Sequence, residues 1–478
     1  MYSDPKRNAY ATSARFAQIG LNVPKTESLL ADLASRISAS TEFSTVPSKV
    51  WIYKGRVVVI DLSHVEERFA FDLMYEDAVL TMSVLGRTDA ARRVLRNALI
   101  GSYEMDRSSG ERHHLGVISS GSEQITTVRD KILGVKQLID KQILAAKSPD
   151  GLDADCINVY WWDGKPNFGD VIGPWLVSKI SKRNPVNGRT SKRSAPPIMA
   201  VGSILNMLEQ DGSIVWGSGL MNNLSVPVAT RLRSLSEVSV RAVRGKLTRA
   251  ELILKLGWDV PEVYGDPALL LPRFFPVVRR GADRNKIAVL PHYVHVNHFK
   301  HMGSESLNIV DVQDGMERVI RQIASASVCI STSLHGLIIA QAYGVPWVWV
   351  RVTDNQLGGD TFKFRDFFST LDSSAVSSLD VAKEDIGKLD LDAIAQTACL
   401  PELQISLDDL LASFPHPAER QIAGTDNGTS GSGTLHIAEE ESRDELTIAI
   451  AGLMSKMDTI SGELAEQRQL LQKLAGQR

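Results

Sequence analysis

The sequence predicts an α/β protein centred on two Rossmann-like domains that face a cleft. Three observations carry that expectation. From Cys156 onward, short β-branched runs alternate with helical segments, the signature of successive βα units. Several of these runs end in small residues, as in Ala200-Val201-Gly202-Ser203 and Trp216-Gly217-Ser218-Gly219, where a ligand can approach the backbone closely. The third is one strand–turn–helix: the apolar run Ser327-Val328-Cys329-Ile330, the turn Ser331-Thr332-Ser333-Leu334-His335-Gly336, and the helical run 337–343, which ends at Gly344-Val345-Pro346. Ser333 and His335 thus stand between a strand's carboxyl end and a helix's amino end, where N–H groups and the helix dipole favour an anion. A histidine there donates hydrogen bonds or protons near neutral pH. The plainer reading is a histidine bonded to a neighbouring loop.

Each element follows in order. Lys49-Val50-Trp51-Ile52-Tyr53 and Arg56-Val57-Val58-Val59-Ile60 flank Lys54-Gly55 as a hairpin. The stretches 69–85 and 90–99, separated by Gly86, read as helical, as does 128–146. No chemical constellation stands out here, so residues 1–150 are expected to form a mixed or helical accessory region. The first Rossmann-like domain, 151–278, opens with the strand 156–162, the polar turn 163–170 and a helix over 171–180. Strands at 197–203, 213–219 and 238–245, a helix over 247–256 with Gly257 as its cap, and a closing segment at 263–267 complete it. After a polar linker, the second domain, 279–415, has strands at 286–293, 307–312, 327–330 and 347–350 and a helix over 316–326. A flexible glycine-serine linker at 416–440 leads to 441–478. There Leu446, Ile450, Leu453, Met457, Ile460, Leu464, Leu471 and Leu474 follow heptad spacing, which predicts a coiled coil and a homo-oligomer. The alternative is a single amphipathic helix folded onto the body.

Composition narrows the function classes. At 478 residues the chain exceeds one core. A net charge of -3 leaves no basic footprint, which argues against a nucleic-acid partner. Cys156, Cys329 and Cys399 form no CxxC pair and are expected to be reduced. The first twenty residues hold no signal-peptide core, and no run reaches the roughly 18 apolar residues of a membrane span. The expectation is a soluble cytoplasmic protein without a transmembrane segment, compatible with a membrane-attached substrate.

Eight short motifs in order make residues 156–372 resemble the polysaccharide pyruvyl transferase family. They are Asn167-Phe168-Gly169-Asp170, Ala200-Val201-Gly202-Ser203, Trp216-Gly217-Ser218-Gly219, Arg244-Gly245-Lys246-Leu247-Thr248-Arg249, Gly265-Asp266-Pro267-Ala268-Leu269-Leu270-Leu271, Pro291-His292-Tyr293, Ser333-Leu334-His335-Gly336 and Phe362-Lys363-Phe364-Arg365-Asp366-Phe367. The resemblance covers a little under half the chain. It implies a glycosyltransferase-B-like fold and transfer of the enolpyruvyl portion of phosphoenolpyruvate to two hydroxyls of one sugar, giving a cyclic ketal and phosphate. The acceptor would be an exopolysaccharide or its lipid-linked precursor. Phosphoenolpyruvate is then a donor substrate, and no cofactor is expected.

The residues fit that chemistry, each with a plainer alternative. Arg244, at a strand end before a helix, suits bidentate grip on phosphate or carboxylate; otherwise it pairs with a carboxylate. The resemblance implies a second charge from Lys363, in the loop after the last strand; otherwise Lys363 is solvated. His335 would bind the phosphate or protonate the methylene carbon. Asp170 or Asp266 would be the base for the attacking hydroxyl, against the alternatives of a helix cap and a turn residue. Asn167, Gly169, Ser333 and His292 complete the expected substrate site. The spacing of His292, His295, His298 and His301 invites a metal, but lies in a loop without a carboxylate pair nearby, so no metal is expected. Two rival functions share these features: a nucleotide-sugar glycosyltransferase of the same architecture, and a non-catalytic assembly protein.

Overall fold

The computed structural model describes residues 25–39, 48–53, 56–61, 69–76, 79–103, 105–107, 110–119, 123–147, 155–189, 195–278 and 286–415. All fall in one compact unit, Met1–Pro417. The Lys54-Gly55 turn, the linker before Lys286, the glycine-serine run and the expected coiled coil lie outside the described residues.

The amino-terminal part starts with helix α1 (Lys25–Ala39) and strands β1 (Ser48–Tyr53), β2 (Arg56–Asp61), β3 (Phe69–Glu76) and β4 (Val79–Gly86). Helix α2 (Asp89–Ala98), strands β5 (Met105–Asp106) and β6 (Arg112–Ile118), and helix α3 (Gln124–Lys147) complete it. The strands form an antiparallel sheet in the order β1-β2-β3-β4-β6-β5. The expected helix over 69–85 is therefore two strands. The cause is burial on both faces of β3, where Phe69, Ala70, Phe71, Asp72 and Leu73 are all covered. A strand without polar alternation looks like a buried helix segment. Asp72 is held there by Arg56 at 2.9 Å and Arg112 at 3.1 Å. In β4 the alternation was present, with Leu80, Met82 and Val84 inward.

Next come β7 (Cys156–Tyr160), α4 (Phe168–Ser181), β8 (Asn184–Asn187), β9 (Ile198–Met199), β10 (Ile214–Trp216), β11 (Ser239–Ala242) and α5 (Lys246–Leu256). They are followed by β12 (Ile287–Leu290), β13 (Leu307–Ile309), α6 (Met316–Ser325), β14 (Val328–Ser331), α7 (Leu334–Ala342), β15 (Trp347–Val352), α8 (Asp360–Phe368) and β16 (Ser378–Val381). These strands form two parallel sheets, β8-β7-β9-β10-β11 and β13-β12-β14-β15-β16. Counted within each sheet, both have the order 2-1-3-4-5. In such sheets ligands bind beyond the strand carboxyl ends where the order reverses. Here that is between β7 and β9 in the first sheet, and between β12 and β14 in the second.

Lys363 lies in α8 and not in a loop. The run Thr361-Phe362-Lys363-Phe364-Arg365-Asp366-Phe367-Phe368 buries Phe364, Phe367 and Phe368 at helical spacing. Phe364 stacks on Trp349 at 4.6 Å between ring centres, and Phe368 on Trp347 at 5.7 Å. Among the described residues no helix is long and apolar enough to cross a membrane.

Candidate active site

The two reversal points meet. Asn167 caps α4, its side-chain oxygen accepting from the Gly169 N–H at 3.2 Å. The Phe168 N–H donates to the Val312 carbonyl at 2.8 Å, tying the start of α4 to the loop after β13. Across from it β14 ends and α7 begins. Ser331 Oγ accepts from the Ser333 N–H at 2.9 Å and donates to the Leu290 carbonyl at 2.9 Å, which locks the ends of β12 and β14 together. His335, in the first turn of α7, lays its imidazole directly against Gly169. A Cβ on Gly169 would come within 2.0 Å of His335 Nδ1, so only glycine admits this approach. Phe168 meets the same ring edge-on at 6.3 Å. His335 Nε2 is buried and has no hydrogen-bond partner.

Charge gathers around that atom. Lys363 is 8% exposed and comes from the facing helix α8. Burial, with the charges of Lys363 and Arg244, lowers His335 to about 3, so its resting imidazole is neutral. Burial also lowers His292 to about 3, helped by Lys363, His295 and His335. Asp170 moves the other way. Burial raises it to about 7, against the pull of Asn167 and Lys363. A carboxyl titrating near neutrality beside an ammonium and a neutral imidazole is suited to proton transfer.

Beside this group runs a fixed chain of hydrogen bonds. The His292 N–H donates to Thr332 Oγ1 at 2.8 Å, and Thr332 Oγ1 stands 2.9 Å from His295 Nδ1. His295 Nε2 lies 2.7 Å from the Asn355 carbonyl, which only accepts. Nε2 therefore carries the proton, and Nδ1 accepts from Thr332. His295 is thus engaged as a brace for the β14–α7 turn. Among the described residues no group of three or more His, Cys, Asp or Glu side chains is placed to share a metal ion.

Arg244 is fully buried and fully engaged. Its Nε donates to Asp366 Oδ2 at 2.9 Å, a second nitrogen to the Leu220 carbonyl at 2.7 Å, and the third to Ser203 Oγ. Asp366 also accepts from the Thr248 N–H and hydroxyl, both at 2.7 Å. This carboxylate, supplied by α8, therefore already satisfies the first turn of α5. Gly219 makes room for the guanidinium, since a Cβ there would come within 2.4 Å of it. Asp266 is also fully buried; it caps the turn Pro267–Leu270 by accepting from the Ala268 N–H at 3.0 Å. Burial raises it to about 6, and the charges acting on it are Arg244 and Asp366. The structure thus brings His335, Asp170, Lys363, His292, Asn167, Gly169 and Ser333 to one place. Arg244 and Asp266 stand in the supporting layer beside Asp366. Sequence reasoning did not single out Asp366, Thr332 or His295 as parts of this framework. Nor did it single out Lys165, whose ammonium lies 5.3 Å from the centre of the Tyr293 ring across the cleft.

A family model for polysaccharide pyruvyl transferases matches residues 211–355, from the lead into β10 through His335 to the end of β15. Over these residues the chain is similar to that family. The succinoglycan biosynthesis protein ExoV of Rhizobium meliloti (strain 1021) is 27% identical over 227 residues, 44% of this chain and 64% of ExoV. An uncharacterized protein of Acanthamoeba polyphaga mimivirus is 29% identical over 221 residues, 45% of this chain and 74% of that protein. The matched region holds both Arg244 and His335; Asn167, Gly169, Asp170 and Lys363 lie outside the residues of the family match.

Proposed function

We propose that this protein transfers pyruvate from phosphoenolpyruvate to two hydroxyls of one sugar in an exopolysaccharide or its lipid-linked precursor. The observation that carries the reading is His335: a buried Nε2 without a partner, beside Lys363, at the meeting of two reversal points in a chain similar to pyruvyl transferases over residues 211–355. Two parallel-sheet halves facing this cleft fit a glycosyltransferase-B-like arrangement. Phosphoenolpyruvate carries a phosphate and a carboxylate, and Lys363 with the amino end of α7 favours such an anion. Burial is the main cause of the lowered His335 affinity; the donor's negative charge would offset the part that Lys363 and Arg244 add, raising the imidazole's affinity for a proton. The proton then goes to the methylene carbon, and C2 becomes electrophilic. One sugar hydroxyl adds to C2, with Asp170 taking its proton; the second hydroxyl displaces phosphate, which leaves with the remaining proton. Of the two hydroxyl protons, one balances the new C–H bond and the other departs on phosphate. Arg244 acts as a positioning residue, since each of its three guanidinium nitrogens serves Asp366, Ser203 or Leu220.

The test is phosphate release from phosphoenolpyruvate with an oligosaccharide acceptor and no nucleotide, alongside a mass gain on the acceptor. A requirement for a nucleotide sugar in place of phosphoenolpyruvate would favour the glycosyltransferase reading instead.

A further inference from the structure

The turn that carries Asn167 and Asp170 begins at Asp163, a carboxylate whose side chain is 3% exposed. Arg93 and Asn97 stand four residues apart in α2, so both lie on one helix face and meet that carboxylate. Arg93 grips it with two nitrogens, Nε to Oδ2 at 2.8 Å and a terminal nitrogen to Oδ1 at 2.9 Å. Asn97 donates to Oδ2 at 2.9 Å, and its own oxygen accepts from the Trp161 indole N–H at 3.3 Å. From the other side Arg189, just past β8, donates to Oδ1 at 2.7 Å while its guanidinium lies over the Trp162 ring at 4.1 Å. Burial pushes the Asp163 carboxyl up, but the bonds from Arg93, Asn97 and Arg189 outweigh it and hold the group below its ordinary range. Asp163 is thus ionised and its acceptor sites are filled.

The amino-terminal region also grips the loop on which the far end of this turn rests. Phe168 bonds Val312, and the Gln313 side chain donates to the Pro166 carbonyl at 3.3 Å. The loop over 311–315 is held in turn from β5. Arg107, directly after β5, donates from its side chain to Asp311 at 2.7 Å and from its backbone N–H to Asp314 at 3.1 Å. Asp106 accepts from Arg318 of α6 at 3.1 Å. The two backbones close up at Gly315, where a Cβ would come within 2.0 Å of the Met105 carbonyl oxygen. Two separate elements, α2 and β5, therefore fix the 163–170 turn at its start and, through the 311–315 loop, near its end.

We infer that Asp163 is a positioning residue for the reaction, joining the amino-terminal region to the group that takes the sugar hydroxyl's proton. The inference rests on the proposed function for the role of Asp170. Asp163 acts through the turn and not on the reacting atoms. Four hydrogen bonds leave its carboxylate one orientation, which transmits the place of α2 to the turn. Further along, Asn167 caps α4 and bonds Asp170, and Gly169 lies against His335, so a shift of the turn moves all three at once. The Asp163 charge also acts on Asp170, opposing the pull of Asn167 and Lys363. The accessory region expected from the sequence thereby supplies part of the framework that holds the base in place.

The experiment compares Asp163→Asn with the wild type on the full chain, by kinetics and by ¹³C NMR of carboxyl-labelled aspartate. Asp163→Asn should lower kcat for phosphoenolpyruvate-dependent phosphate release about tenfold or more, and leave KM for phosphoenolpyruvate within about twofold, because a small displacement of a reacting group is costly. The carboxyl titrating at about 7, identified by its loss in Asp170→Asn, should titrate lower in Asp163→Asn. The rising limb of the pH profile should move down with it. Arg93→Ala, on the outer side where Arg93 is 41% exposed, should lower kcat in the same way and decides the matter should Asp163→Asn not fold. Wild-type kcat in the folded variants, or an unmoved Asp170 titration in Asp163→Asn, overturns the inference. A lowered Asp170 titration in Asp163→Asn, where the wild type releases no phosphate from phosphoenolpyruvate, sustains the link between the two residues and defeats the proposed function.

Discussion

Arg244 and His335 lie near each other and are opposites. Arg244 is fully buried with every guanidinium nitrogen engaged, and its partner Asp366 reaches it from α8. His335 is only partly covered, yet its buried Nε2 meets nothing. A saturated ion pair fixes the position of the elements that carry it; an unsatisfied nitrogen among positive charges is where a ligand completes the structure. Buried charge by itself therefore does not mark chemistry. What marks it is charge whose partners are incomplete.

The largest expected effect is at the unsatisfied member. His335→Ala should lower phosphoenolpyruvate-dependent phosphate release by about 10³-fold, within the usual range for an acid–base group. Its denaturation midpoint should stay near that of the wild type. For the saturated member the pattern inverts. Removing one partner, as in Asp366→Ala, should cost about 3–5 kcal/mol in urea unfolding because it strands Arg244 in the interior. The double change Arg244→Met with Asp366→Leu should recover much of that stability. Were Arg244 a phosphate ligand, Arg244→Ala would instead weaken phosphoenolpyruvate affinity in a protein of wild-type stability. Next comes Gly169→Ala, whose methyl displaces the His335 ring. A shift of about 1 Å in a catalytic group costs about 10²-fold, so kcat should fall by that order. The smallest effect is on pH dependence. With Asp170 at about 7, activity should rise about tenfold per unit as pH increases towards 7, and Asp170→Asn should abolish that limb. The stability sign is opposite. Between 3.8 and about 7 the folded protein holds a proton that the unfolded chain releases, so this group's contribution falls as pH rises through that window.

The central strands were legible because strands buried in parallel sheets read as short apolar runs. The edge strands were not. β8 is Asn184-Pro185-Val186-Asn187, whose proline and asparagines look like a turn, and β16 alternates polar and apolar over four residues. In β3, burial on both faces removed the alternation that separates strand from helix. At the site, the turn with Ser333 and His335 announced itself through a local pattern. The Arg244–Asp366 pair did not, since its partners stand 122 positions apart and only the fold joins them.

The most direct test of the unsatisfied nitrogen is ¹⁵N NMR of the histidine-labelled full chain titrated with phosphoenolpyruvate at pH 7, with His335→Gln used for assignment. One imidazole should pass from neutral to protonated shifts as phosphoenolpyruvate binds, and the variant should lack that signal. Saturating phosphoenolpyruvate that leaves His335 with its ligand-free shifts would contradict the account.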